Sequence, residues 1–225
     1  MDARAVEELR SLRARDDELA AETARLTELD AAVAEIRARA EAIDAFFARY
    51  PTAEERLRAA VAGAEADVAR RRDELAAAQA DAAAARAAEE RAHAERALER
   101  ARDHVAVAES HLLRARSAHE ELERAAAALP AELPGLERRA RAVADGGPAP
   151  QPGDGPRPLV EWASHAHAEL FVASRQLDGE RERVVREANE LASMLLGEPT
   201  YGSTVAQALA RVERPEPGSL REPGS

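Results

Sequence analysis

Residues 26–50 read LTELDAAVAEIRARAEAIDAFFARY, and their spacing decides the fold class. Val33, Ala40 and Phe47 continue one heptad position begun by Leu12, Leu19 and Leu26. Leu29, Ile36, Ile43 and Tyr50 hold a second, in the alternating three-and-four spacing of a helical seam. N-terminal to Leu26 the same frame places Arg15 and Glu22 on the seam, which predicts a looser N-terminal half. Glu35 stands four residues before Arg39, the favourable order for an exposed pair on one helix.

Composition points the same way. Of 225 residues 57 are Ala, and Ala, Glu, Leu and Arg together make 142, whereas the bulky core formers Leu, Ile, Val and Phe make only 40. That is more than the roughly 50% of such residues typical of long-helix and coiled-coil chains, so the fold class is all-α and a sheet-containing enzyme fold is excluded. The 32 basic residues are all Arg and face 43 acids, for a net charge of -11, which opposes a polyanion at long range. There is no Cys, hence no disulfide framework or thiolate chemistry, and residues 1–20 are charged throughout, without a signal-peptide core. A cytoplasmic setting is expected.

The seam stops at Phe46-Phe47-Ala48-Arg49-Tyr50-Pro51-Thr52. Pro51 disfavours helical geometry at Tyr50, and Thr52 with Glu55 forms a capping-box pattern, so the sequence predicts one helix over 2–49 and a second over 53–129, joined as a long antiparallel hairpin or coiled coil. Leu57, Val61, Ala64, Val68 and Leu75 mark the early seam of the second helix. Leu98, Val105, Leu112, His119 and Leu122 mark a later one displaced by two residues. At about 100° per residue this turns the apolar stripe by roughly 200°, which implies a change of partner. The first helix would cover residues 53 to about 100, and a third helix or a second copy of the chain would cover the rest.

Pro130 and Pro134-Gly135 predict a kinked extension over 131–144, completing an alanine-rich region over 1–144. Residues 145–158, DGGPAPQPGDGPRP, read as a flexible Pro/Gly linker. Leu170, Leu177, Val184 and Leu191 pattern a third long helix in a C-terminal segment over 159–213. It stops at Gly197 and Pro199, with a short helix to follow and a disordered tail over 214–225.

Motifs that carry chemistry are scarce. No phosphate-cradling glycine loop is present. Glu90 and His93 match half of a di-iron helix motif, but the second half and two further inward glutamates are missing. His104 and His111 lie one heptad apart, about 10.5 Å of rise, too far to share an ion, and His119 sits on the seam as a half-buried neutral side chain. Arg70-Arg71-Arg72 runs at once into Asp73-Glu74, so it makes no phosphate-tracking stripe. No catalytic residue, cofactor, metal, small-molecule substrate or nucleic acid is expected.

The candidate interaction residues are Phe46, Phe47 and Tyr50 at the turn, and Trp162 and Phe171 on the third helix. The trio forms either a hydrophobic cap over the turn or an exposed tip that docks on a membrane or partner. The functional expectation is a non-enzymatic coiled-coil scaffold that self-associates and presents its C-terminal helix to a partner protein. The alternative is a membrane-surface or chromosome-organising accessory that uses the aromatic tip.

In periodicity and composition the first two helices resemble the arm segments of structural-maintenance-of-chromosomes proteins and bacterial filament-forming coiled coils. The ATPase head motifs of the former are absent, so that resemblance implies no activity. In size and hairpin shape the chain is also similar to phage-shock-protein-A-type membrane remodelling proteins. Their apolar N-terminal inserting helix has no counterpart in the charged residues 1–20.

Overall fold

The computed structural model describes residues 3–144, 149–150 and 155–214. Five α-helices, α1 (Ala3–Ala84), α2 (Ala88–Ala128), α3 (Leu133–Ala144), α4 (Arg157–Leu196) and α5 (Val205–Glu213), account for most of them; a 3₁₀ turn (Leu129–Glu132) joins α2 to α3. There is no strand among the described residues, and the chain is all-α. The predicted linker falls largely on 145–148 and 151–154, and the tail on 215–225, outside the described residues. Two compact units are built, one from Met1–Ala38, Arg139–Gln151 and Pro158–Ser225, the other from Arg39–Arg138 and Pro152–Arg157.

The predicted break at Pro51 does not exist, because α1 runs through it for 82 residues. A proline inside a helix loses one backbone hydrogen bond and crowds the preceding turn, at a cost of about 3 kcal/mol. Here Ala40 and Ile43 before it are fully buried, Val68 beyond it is buried, and Leu57, Val61 and Ala64 are half-buried. Continuous burial along one face outweighs a single local penalty, and Thr52 and Glu55 are helix interior rather than a cap.

The chain reverses instead at residues 85–87, Ala85-Arg86-Ala87, a turn with neither Gly nor Pro. The Glu90 carboxylate accepts the Ala87 N–H at 3.1 Å and the Arg86 N–H at 3.2 Å, occupying two donors at the start of α2. Beyond the turn, Arg72 pairs with Glu109 and Glu65 with Arg116, both at 2.7 Å. Seven residues back along α1 correspond to seven forward along α2, so the two run antiparallel. The two-residue displacement between seams therefore marks a chain reversal within the alanine tract. The later stripe, Leu98 through Leu122, is half-buried, with Ala94 and Ala108 buried, without a second copy of the chain.

In the first unit α4 lies antiparallel on the N-terminal half of α1. Asp16 meets Arg181 and Asp30 meets His167, fourteen residues apart on both helices and in opposite order. The third helix is thus docked on α1. Arg139 of α3 pairs with Glu35 of α1 in the same unit. The N-terminal half of α1 is not loose: Val6, Leu9 and Leu19 are buried, and the seam shifts by one residue so that Asp16 is inside while Arg15 stays exposed. Val6 and Leu9 join Ala188 and Ala192 of α4 and Val205, Ala208 and Val212 of α5 in one apolar cluster.

The predicted stop of α4 is present. Gly197, at φ 69°, donates its N–H to the Ser193 carbonyl at 2.9 Å, in the left-handed conformation that glycine adopts without strain. Thr204 caps α5 by accepting the Gln207 N–H at 3.2 Å, and the Gln207 side chain accepts the Thr204 N–H at 2.9 Å.

Candidate functional site

Phe46, Phe47 and Tyr50 are helix-interior residues of α1, half-buried, and form no hairpin tip. The chain does not reverse at Pro51, so these residues lie along the side of a continuous helix rather than at the end of a hairpin. Phe46 and Phe47 stand edge to face with centroids 5.3 Å apart, and Tyr50 lies 5.9 Å from Phe46 and 6.5 Å from Phe47. Ala42, Ala45, Phe46, Arg49, Tyr50 and Ala53 of α1 and Leu122 of α2 line an open recess of about 400 Å³. Small alanines leave the space, and the aromatic rings supply its apolar wall.

Trp162 and Phe171 do not converge. Nine residues apart on α4, they point to opposite flanks of the helix at about 100° per residue. Trp162 is half-buried, whereas Phe171 is 60% exposed, with the Arg175 guanidinium 6.0 Å from its ring centroid. Val172 beside it is 55% exposed.

Some charged groups pair with neighbours on their own helix, such as Arg71 with Glu74, and others join different elements. Arg39 does not pair with Glu35 on its own helix; its Nε and Nη2 both donate to Glu132, at 2.7 and 2.6 Å. Bidentate geometry holds the Glu132 carboxyl below its usual range and raises Arg39. Glu35 is lowered in turn by the hydrogen bond from Arg139, and Glu90 by the two backbone donors it caps. The glutamate of the half di-iron motif is thus a helix cap. The described residues contain no cluster of three or more His, Asp or Glu side chains able to hold a metal. His119 sits half-buried on the seam, its Nε2 3.7 Å from Glu123.

Two polar groups with structural weight escape sequence reasoning. Asp16 is 4% exposed and accepts from Arg181 Nε at 2.8 Å. Asn189 is buried, and its Nδ2 donates to the carbonyls of Val185 at 2.7 Å and Ser203 at 2.8 Å, leaving its Oδ1 without a partner. A signal for Asp16 was present in hindsight: Leu9, Leu12, Asp16, Leu19, Thr23 and Leu26 keep the three-and-four rhythm if a polar seam residue is admitted. Nothing in the sequence marks Asn189.

The chain matches no protein-family model, no curated protein and no solved structure. No described helix is long and apolar enough to cross a membrane.

Proposed function

We propose that the chain is a non-enzymatic helical scaffold that presents the outer face of α4 to a partner protein. The observation that supports this most is the exposed Phe171–Val172 pair on a helix that is buried towards its two ends, at Leu159 and Ala163 and again at Ala188 and Ala192. Exposed aromatics with an adjacent arginine are the residue types that anchor protein interfaces. Carboxylates held by arginines on open helix faces provide no pair whose environments differ enough for acid-base work. Self-association stays in the proposal as a secondary feature: the α2 seam is half-buried within the chain, and Val107 and Leu113 of α2 are exposed.

The test is recovery of crosslinked partners by the intact chain and by a Phe171→Ser/Val172→Ser variant. Both side chains are exposed, so the variant should melt with the parent and lose the partner. Equal recovery by the two would remove the α4 face from the proposal. Sedimentation as a single monomeric species at all concentrations would remove self-association.

A further inference from the structure

We propose that α5 is a displaceable strap over a helix-binding groove, and that the occupant admitted when it lifts is a short amphipathic helix of a partner protein, built like α5 itself. The groove is formed by Val6 and Leu9 of α1 and Ala188 and Ala192 of α4, with Leu12, Val184, Val185, Leu191 and Leu195 around them. α5 fills it with Val205, Ala208 and Val212, fully buried at i, i+3 and i+7. It thereby shows which chemistry the groove accepts: small apolar side chains at that spacing, followed by an acid. Glu213 supplies the acid, taking Nε and Nη2 of Arg10 at 3.0 and 2.9 Å at the exposed rim.

Three features make α5 able to leave. A nine-residue helix is below the length that holds itself in water, so the groove stabilises α5 and α5 has no independent fold to lose. Its tether carries two left-handed glycines, Gly197 at φ 69° and Gly202 at φ 76°; the second lies between the anchored Thr200 and the helix. Thr200 stays fixed to α4 through its hydroxyl on the Asn189 carbonyl at 2.7 Å, so rotation about Gly202 lifts α5 from an anchored loop and gives up the two Ser203 contacts, its N–H on the Thr200 carbonyl at 3.4 Å and its carbonyl accepting from Asn189 Nδ2 at 2.8 Å. Finally, the Asn189 amide holds the Ser203 carbonyl while its own Oδ1 stays buried and unpaired, so the polar contacts beneath the tether are incompletely satisfied in the closed state.

The natural chain has no cysteine, so Arg10→Cys with Glu213→Cys in the full chain gives a unique pair. A short bis-maleimide then locks α5 down, while N-ethylmaleimide leaves it free, and both forms lack the ion pair equally. The probe is a fluorescent peptide of residues 203–214, titrated to about the millimolar effective concentration of a tethered competitor. Binding to the open form that falls by about tenfold or more in the locked form, and is absent for a Val205→Asp/Val212→Asp peptide, is the expected result. No binding to the open form, or equal binding to both, overturns the proposal. A lock-sensitive dimer of the open chain would make a second copy the occupant and overturn the partner assignment. Loss of partner by the Phe171→Ser/Val172→Ser variant would bear on α4 alone and leave this test unchanged.

Discussion

Asp16 and Arg181 stand 165 residues apart in sequence and meet at 2.8 Å, the carboxylate almost wholly buried and the guanidinium reaching it from the half-exposed surface of α4. Removing the arginine takes away the hydrogen-bonded partner of a buried carboxylate and leaves only the looser contact with Arg13, 3.8 Å away on α1. Arg181→Ala should therefore cost about 2–3 kcal/mol in urea unfolding, less than for a fully buried pair because water reaches the site. A loss below about 0.5 kcal/mol, the level of an ordinary exposed pair, would show that solvent or Arg13 compensates Asp16 without Arg181.

Burial separates two seam residues that the sequence treats alike. Ile36 is fully buried and Leu29 only partly so. Ile36→Ala should cost about 3 kcal/mol and Leu29→Ala about 1 kcal/mol in the same measurement. Equal costs would contradict the geometry of α1.

Pro51→Ala discriminates between a turn and a continuous helix. With α1 continuous, the substitution restores a backbone hydrogen bond and should stabilise by about 1–3 kcal/mol, seen as a higher Tm. A turn at Pro51 would instead lose its preorganised residue and melt at the same or a lower temperature.

Acid should loosen the helix pairings. Glu35, Glu90 and Glu132 each have a carboxyl held below its ordinary value by hydrogen bonds made in the folded chain. Their contribution is present above the unfolded glutamate value of about 4.3 and is lost as pH falls through the lower folded values. Tm should therefore decline below about pH 4.3, and Glu132→Gln should have a shallower decline than the parent. An unchanged acid limb in that variant would remove the Arg39–Glu132 pair from the account.

The cap at Glu90 has a local readout. Glu90→Ala should speed amide hydrogen exchange at Ala87 and the first turn of α2 and leave the α1–α4 pairing near Asp16 unaffected. Uniform change along the chain would mean that the reversal at residues 85–87 is not an independent element.

Periodicity alone determined that this chain is helical and, for residues 33–50, which face is inside. Val33, Ile36, Ala40 and Ile43 are buried in the order their spacing requires, because a helix carries the same stripe whatever covers it. The sequence also located the stop at Gly197 and the small helix after it, since those depend on neighbouring residues only. It could not locate the chain reversal. Pro51 looks like a terminator and passes unbroken through a helix, whereas Ala85-Arg86-Ala87 looks helical and turns. Which of the two yields is set by how much surface each arrangement buries across α1 and α2, a sum over distant residues. The same reason separates Phe171 from Trp162 and puts Asp16 inside: exposure belongs to the assembled helices, and only tertiary packing decides which flank of a stripe another element covers.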